Sequence, residues 1–111
     1  MNYRHAYHAG NFADVIKHCA VLMALEHLQR KDKGAFVLDA HAGSGAYNLT
    51  SDQARRTGEA ERGVARLMAK ADRSTNADLR RYCDVITPWW FENSYPGSPL
   101  LIAGLLRHQD R

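Results

Sequence analysis

Stretches in which apolar residues recur with a helical period alternate along the chain with stretches that have none. The opening MNYRHAYHAG carries aromatic and His side chains without any period and reads as an ordered arm. Val15, Ile16, Cys19, Leu22 and Met23 then recur at three- and four-residue steps as an amphipathic stripe. Asn11 followed by Asp14 resembles a capping box, in which both side chains accept from unpaired N–H groups of a first helical turn. Arg30, Lys31 and Lys33 suit the far end of the helix dipole before Gly34 stops it, so the pattern predicts a helix over about Ala13 to Arg30.

Ala35-Phe36-Val37-Leu38 is a continuous apolar run ending at Asp39, as expected of a strand buried on both faces of a parallel sheet. The segment His41-Ala42-Gly43-Ser44-Gly45-Ala46-Tyr47 follows at once, and open α/β sheets place ligands where a strand runs into such a turn. Asn48 to Gly58 is polar and aperiodic, which points to an insertion. Ala60, Val64, Leu67 and Met68 fit one helix. Leu79, Tyr82, Cys83 and Ile86, capped by Asn76, fit another, and Trp89 with Trp90 is expected to pack this helical subdomain against the main body. Tyr95-Pro96-Gly97 reads as a turn, Ser98 as an N-cap and Pro99 as the first residue of a helix through Leu100, Leu101, Ile102, Leu105 and Leu106.

The expected organisation is therefore α/β. Residues 1–47 form an arm, first helix, first core strand and glycine loop; 48–95 an inserted helical subdomain; and 96–111 a return to the core. These residues are mostly helical with one clear strand, and a second parallel strand falls due where the sequence stops. One strand cannot make a sheet, so the chain reads as a fragment of a larger fold, or as one that pairs with something outside this sequence.

Composition narrows this further. With 111 residues and 45% hydrophobic content the chain supports one modest core. It has neither a run of about 18 apolar residues nor a signal-peptide pattern, so a cytoplasmic protein away from membranes is expected. Cys19 and Cys83 lie in apolar periodic segments without CxxC spacing and read as reduced core thiols. The net charge of +3 is concentrated: Ser51 to Arg81 holds eight basic residues (Arg55, Arg56, Arg62, Arg66, Lys70, Arg73, Arg80, Arg81) against five acidic ones (Asp52, Glu59, Glu61, Asp72, Asp78). Such a run is commonly a solvated helix face, but the planar fork of Arg also matches phosphate oxygens, and Arg62 and Arg66, one turn apart, are the candidates for RNA phosphate contacts.

Two groups of residues carry candidate chemistry. Gly43 and Gly45 allow a backbone to approach a ligand closely, with Asp39 placed to accept a hydrogen bond. The loop lacks the GK[ST] of a P-loop, and Asn48 replaces the third glycine of the dinucleotide fingerprint. That leaves either a tight turn after a strand or the two-glycine loop of S-adenosylmethionine binders. His5, His8 and His18 with Cys19 invite a metal reading, but their spacing fits no standard zinc motif. Structural histidines are the plainer reading; alternatively His18 and His41 converge on the ligand crevice as donors.

Tyr3-Arg4-His5, His8-Ala9-Gly10-Asn11 with Ala13-Asp14-Val15 and Lys17-His18, Leu38-Asp39 with His41-Ala42-Gly43, Arg56-Thr57-Gly58-Glu59 and Tyr95-Pro96-Gly97-Ser98-Pro99, taken together, closely resemble the RlmJ-type 23S rRNA adenine-N6-methyltransferases, N-terminal part only. The resemblance implies a Rossmann-like S-adenosylmethionine-dependent methyltransferase core with a helical insertion, acting on 23S ribosomal RNA without a metal and as a monomer. It implies that His18, His41 and Ser98 contact S-adenosylmethionine, beside Asp39, Gly43 and Gly45 of the loop, and that Tyr3 meets the target adenosine. The family's acidic-Pro-Pro-Tyr motif, which holds the adenine amine, is missing from these residues, as is an acidic residue after a second strand for the ribose. The resemblance thus places no catalytic residue here, and these residues alone are expected to be inactive. A rival reading is a nucleic-acid-binding protein linked to the use or uptake of external DNA, without methyltransferase activity.

Overall fold

The computed structural model describes residues 3–70 and 76–111; Asp72 and Arg73 of the charged run lie outside them. Helix α1 spans Phe12–Leu28, and the Asn11 side chain accepts from the Asp14 N–H at 2.8 Å, as the capping pattern predicts. The Asp14 carboxylate takes a different partner from the one a capping box would give it. It is buried, and accepts from the Gly10 N–H at 3.0 Å and from His5 Nε2 at 2.6 Å, so it anchors the arm to the helix. Val15, His18, Cys19, Leu22 and Leu25 are the buried face, whereas Ile16 and Met23 of the expected stripe are exposed. The helix stops at Leu28, and the next residue, Gln29, uses its side-chain amide to cap the Leu105 carbonyl and to reach Asp110.

The strand expected at Ala35 to Leu38 is not formed. These residues are extended, but Phe36 and Leu38 are exposed, and a strand requires a partner ladder. One parallel rung exists: Arg111 donates its N–H to the Ala35 carbonyl at 2.9 Å and accepts from the Val37 N–H at 2.7 Å. Asp110 holds this crossing. It accepts from the Ala35 N–H and from the Arg107 guanidinium, and these hydrogen bonds keep its carboxyl far below the usual range.

The sheet lies elsewhere. Strand β1 (Ala46–Asn48) pairs antiparallel with β2 (Ser94–Pro96), Tyr47 opposite Tyr95, so the expected turn at Tyr95-Pro96 is a strand. Between them, α2 (Asp52–Thr57) fills the stretch read as aperiodic, capped by Ser51, with Ala54 its buried residue. The single helix expected through Ala60 to Met68 is broken into α3 (Glu59–Arg62) and α4 (Val64–Met68) at Gly63. At Gly63 the chain passes against the arm: a Cβ would collide with the Gly10 carbonyl, which accepts the Val64 N–H at 2.8 Å. Helix α5 (Ala77–Trp90) has the predicted Asn76 cap and buries Tyr82, Cys83 and Ile86; Trp90 packs on the core, while its neighbour Trp89 does not join it.

Helix α6 runs from Ser98 to Leu105. Gly97 is its N-cap, one position before the expected Ser98, and the Ser98 hydroxyl donates to Asp39 and makes no cap hydrogen bond. One core of Val15, Leu22, Tyr47, Val64, Tyr82, Ile86, Tyr95 and Leu101 draws on all three expected segments. Cys19 and Cys83 are free and buried, and burial pushes the Cys19 thiol up to about 11. The structure is thus mostly helical with one two-stranded sheet, and among the described residues no helix is long and apolar enough to cross a membrane.

Candidate functional site

A cleft of about 880 Å³ opens between the arm, α1, the glycine loop and the start of α6. A second, apolar groove of about 330 Å³, walled by α1 and the extended Val37–Asp39 stretch, adjoins it at Lys17, His41 and Ser98. Ligand sites commonly have this combination of size and mainly apolar lining with a few polar groups.

The sequence explains how the walls are held. Asp39 ties the start of the glycine loop to the start of α6, accepting the His41 N–H with one oxygen at 3.1 Å and the Ser98 hydroxyl with the other at 2.5 Å. Gly43 has a positive φ of 67°, and a Cβ there would lie 2.5 Å from the Tyr47 hydroxyl, which accepts from the Ser44 N–H. Gly45, with φ 85°, accepts the Gly97 N–H through its carbonyl and locks the loop to the entry of α6.

His18 is buried at one edge of the cleft, its Nδ1 3.0 Å from the Tyr95 hydroxyl, which lies 2.5 Å from that of Tyr82. Burial is the largest cause that lowers its pKa, to about 4, so the ring is neutral at physiological pH. Tyr3 stands at the mouth, 72% exposed. Its ring stacks on His8 at 5.3 Å and its hydroxyl meets His5 Nδ1 at 2.6 Å. His8 in turn is held by Glu59 at 2.8 Å and His5 by Asp14, so the arm is fixed at two points. His5, His8 and His18 are thereby engaged with three different partners; the metal reading brings them to no common point among the described residues.

Of the residues singled out from sequence, Tyr3, His18, His41, Gly43 and Ser98 line the cleft, and Asp39 lines the adjoining groove. Gly45 supports the loop from behind, facing Leu100. Arg62 and Arg66 do not line the cleft: Arg62 donates to the Thr57 carbonyl at 3.1 Å, and Arg66 is exposed on α4. Arg81 of the same charged run is paired with Glu26 of α1 at 2.8 Å. The structure adds cleft residues that sequence reasoning passed over as chemistry: Arg4, Lys17, Tyr47 and Gln53. Lys17 was findable, since it immediately precedes His18 and lies one turn beyond Asp14, its ion-pair partner at 3.4 Å. Gln53 also borders a second hollow with Tyr7, Asp52 and Arg56, where one acidic and one basic side chain stand together.

Such a cleft, with Tyr3 at its mouth and Arg4 and Lys17 in its lining, has room for a nucleoside-sized ligand. Comparison with known proteins makes the class specific. A family model described as "RsmJ: Ribosomal RNA large subunit methyltransferase D, RlmJ" matches residues 32–111. "Ribosomal RNA large subunit methyltransferase J" of Haemophilus influenzae is 43% identical over 115 residues, which take in 100% of this chain and 40% of that protein. The protein of the same description from Escherichia coli is 45% identical over 115 residues, covering 99% of this chain and 40% of its own length. A crystal structure of a protein from Legionella pneumophila is similar with a TM-score of 0.80 at 35% identity, over 93% of this chain and 38% of that one. The chain belongs to the RlmJ family of ribosomal RNA large subunit methyltransferases, and it spans about 40% of the length of its curated relatives.

Proposed function

We propose that the full-length protein carrying these residues transfers a methyl group from S-adenosylmethionine to the N6 amine of an adenine in 23S rRNA, in the cytoplasm, as a monomer and without a metal. The observation that carries this reading is the convergence of His18, His41, Gly43 and Ser98 on one cleft beneath Tyr3. They come from separate segments of the chain, within a family whose curated relatives are named rRNA large subunit methyltransferases.

The cleft suits S-adenosylmethionine on its own chemistry. Gly43 brings the loop backbone to the wall of the cleft with no side chain in between, and His18 offers a ring nitrogen beside a rim that holds Lys17 and Arg4. His18, His41 and Ser98 would hold the cofactor, with Asp39 and the Gly43–Gly45 loop setting their positions. When bound, the cofactor supplies an electrophilic methyl group on its sulfonium. The chain's own contribution is positioning: Tyr3 presents a π-face to an extruded base, Arg4 and Lys17 attract the phosphate backbone, and Arg62 and Arg66 extend that contact outside the cleft. No acidic-Pro-Pro-Tyr motif occurs in the 111 residues, so the group that holds the amine is not among them. We read 48–95 as an insertion that carries the outer RNA contacts. The test is transfer of labelled methyl to a 23S rRNA transcript by the full-length protein, with digestion to nucleosides. N6-methyladenosine is the expected product, and salt-sensitive RNA binding without any transfer would favour a plain nucleic-acid-binding role.

A further inference from the structure

Tyr82, Tyr95 and His18 form a hydrogen-bonded chain that is almost entirely shut off from solvent, with exposures of 0%, 0% and 2%. Its direction follows from counting protons. Each phenol carries one hydrogen, and Tyr82 has no hydrogen-bond partner other than Tyr95 among the described residues. If His18 donated from Nδ1 to Tyr95, Tyr95 would donate to Tyr82, and the Tyr82 hydrogen would be buried without an acceptor. In the opposite direction Tyr82 donates to Tyr95, Tyr95 donates to His18 Nδ1, and every hydrogen is used. The neutral ring then carries its proton on Nε2. Among the described residues that nitrogen has no partner, and no buried side-chain nitrogen or oxygen there lacks one, so Nε2 borders the cleft that His18 lines.

We propose that Tyr95 is a positioning residue that locks His18 as the Nε2–H tautomer, so that this histidine offers the cleft a donor only and selects an acceptor atom of the ligand, a carboxylate or hydroxyl oxygen. The identity of the ligand rests on the S-adenosylmethionine reading above; the tautomer does not. Six groups face the imidazole: Asp14 and Lys17 on α1, His5 on the arm, Asp39 at the loop, Tyr82 on α5 and Tyr95 on β2. Only the two tyrosines touch it through a shared buried hydrogen-bond chain.

The experiment is nitrogen-15 NMR of the His18 ring, with calorimetric titration of S-adenosylhomocysteine, on the full-length protein and on Tyr95→Phe and Tyr82→Phe. Wild type shows the Nε2–H tautomer. Tyr95→Phe frees Nδ1 to take a proton, so the His18 pKa rises, and S-adenosylhomocysteine affinity falls about tenfold. Tyr82→Phe leaves Tyr95 with only Nδ1 to donate to, so the tautomer stays and affinity changes by less than about threefold, although a buried hydroxyl has been removed as well. An Nδ1–H tautomer in wild type overturns the proposal without any variant having to fold. So does a His18 pKa that falls in Tyr95→Phe, or unchanged affinity in that variant. The predicted tautomer and pKa pattern in a protein that binds no S-adenosylhomocysteine would instead leave the relay standing and remove the cofactor reading.

Discussion

The Ser98 hydroxyl donates to Asp39 at 2.5 Å and joins the start of α6 to the glycine loop across 59 positions of sequence. This bond turns two distant segments into one wall of the cleft, since the other Asp39 oxygen holds the His41 N–H. Ser98→Ala should therefore weaken S-adenosylhomocysteine binding by about tenfold while costing about 1 kcal/mol of stability, the usual worth of one hydrogen bond. Calorimetry and thermal melting check the two figures; equal losses in Asp39→Asn would support the shared wall.

Gly43→Ala tests the cradle. The position combines a positive φ with a Cβ placed 2.5 Å from the Tyr47 hydroxyl, so the side chain is opposed both by the backbone and by space. The expected cost is about 1–2 kcal/mol in denaturant unfolding, with a loss of ligand binding that exceeds what the lower stability explains.

His18 should make stability depend on pH. Its pKa falls from 6.5 in the unfolded chain to about 4 in the folded one, because burial opposes the charged ring. Between those values the unfolded state binds more protons, so stability rises with pH there. The contribution is complete above about 6.5 and is lost as pH falls toward 4. On the order of 3 kcal/mol is at stake. Unfolding curves across that window should show the slope, and His18→Gln should flatten it.

Arg62→Ala and Arg66→Ala should lower rRNA affinity and reduce the dependence of binding on log salt by about one unit each. Neither residue lines the cleft, so S-adenosylhomocysteine binding should not change. Filter binding at several salt concentrations separates the two effects. Unchanged salt slopes would assign both arginines to the solvated face.

The parts of the fold legible in the sequence were those with a period long enough to see. Helices α1 and α5 were found with their Asn11 and Asn76 caps, because each buries a continuous stripe. Helix α2 escapes such a reading: it is six residues long and buries only Ala54, which leaves no period to detect. The break at Gly63 depends on the approach of the Gly10 carbonyl, a long-range contact that no local pattern encodes. The strand was sought at Ala35 to Leu38 because that run is apolar, yet the ladder formed at Tyr47 and Tyr95, three-residue strands joined by side chains that are also core. Residues of the cleft and of its adjoining groove are legible where an unusual type stands in a loop or at a helix start, as with Asp39, Gly43 and Ser98. Lys17 sits on a helix explained by its apolar stripe and Gln53 on one that leaves no period, and only the packing shows that both helices also face a cleft.

S-adenosylmethionine binding in this cleft is the property on which the proposed activity rests. Calorimetric titration of the full-length protein with S-adenosylhomocysteine, alongside His41→Ala, tests it most directly. Saturable one-to-one binding that weakens about tenfold or more in the variant is the predicted result. No binding by the wild-type protein, or binding that His41→Ala leaves untouched, would contradict the assignment of the cleft.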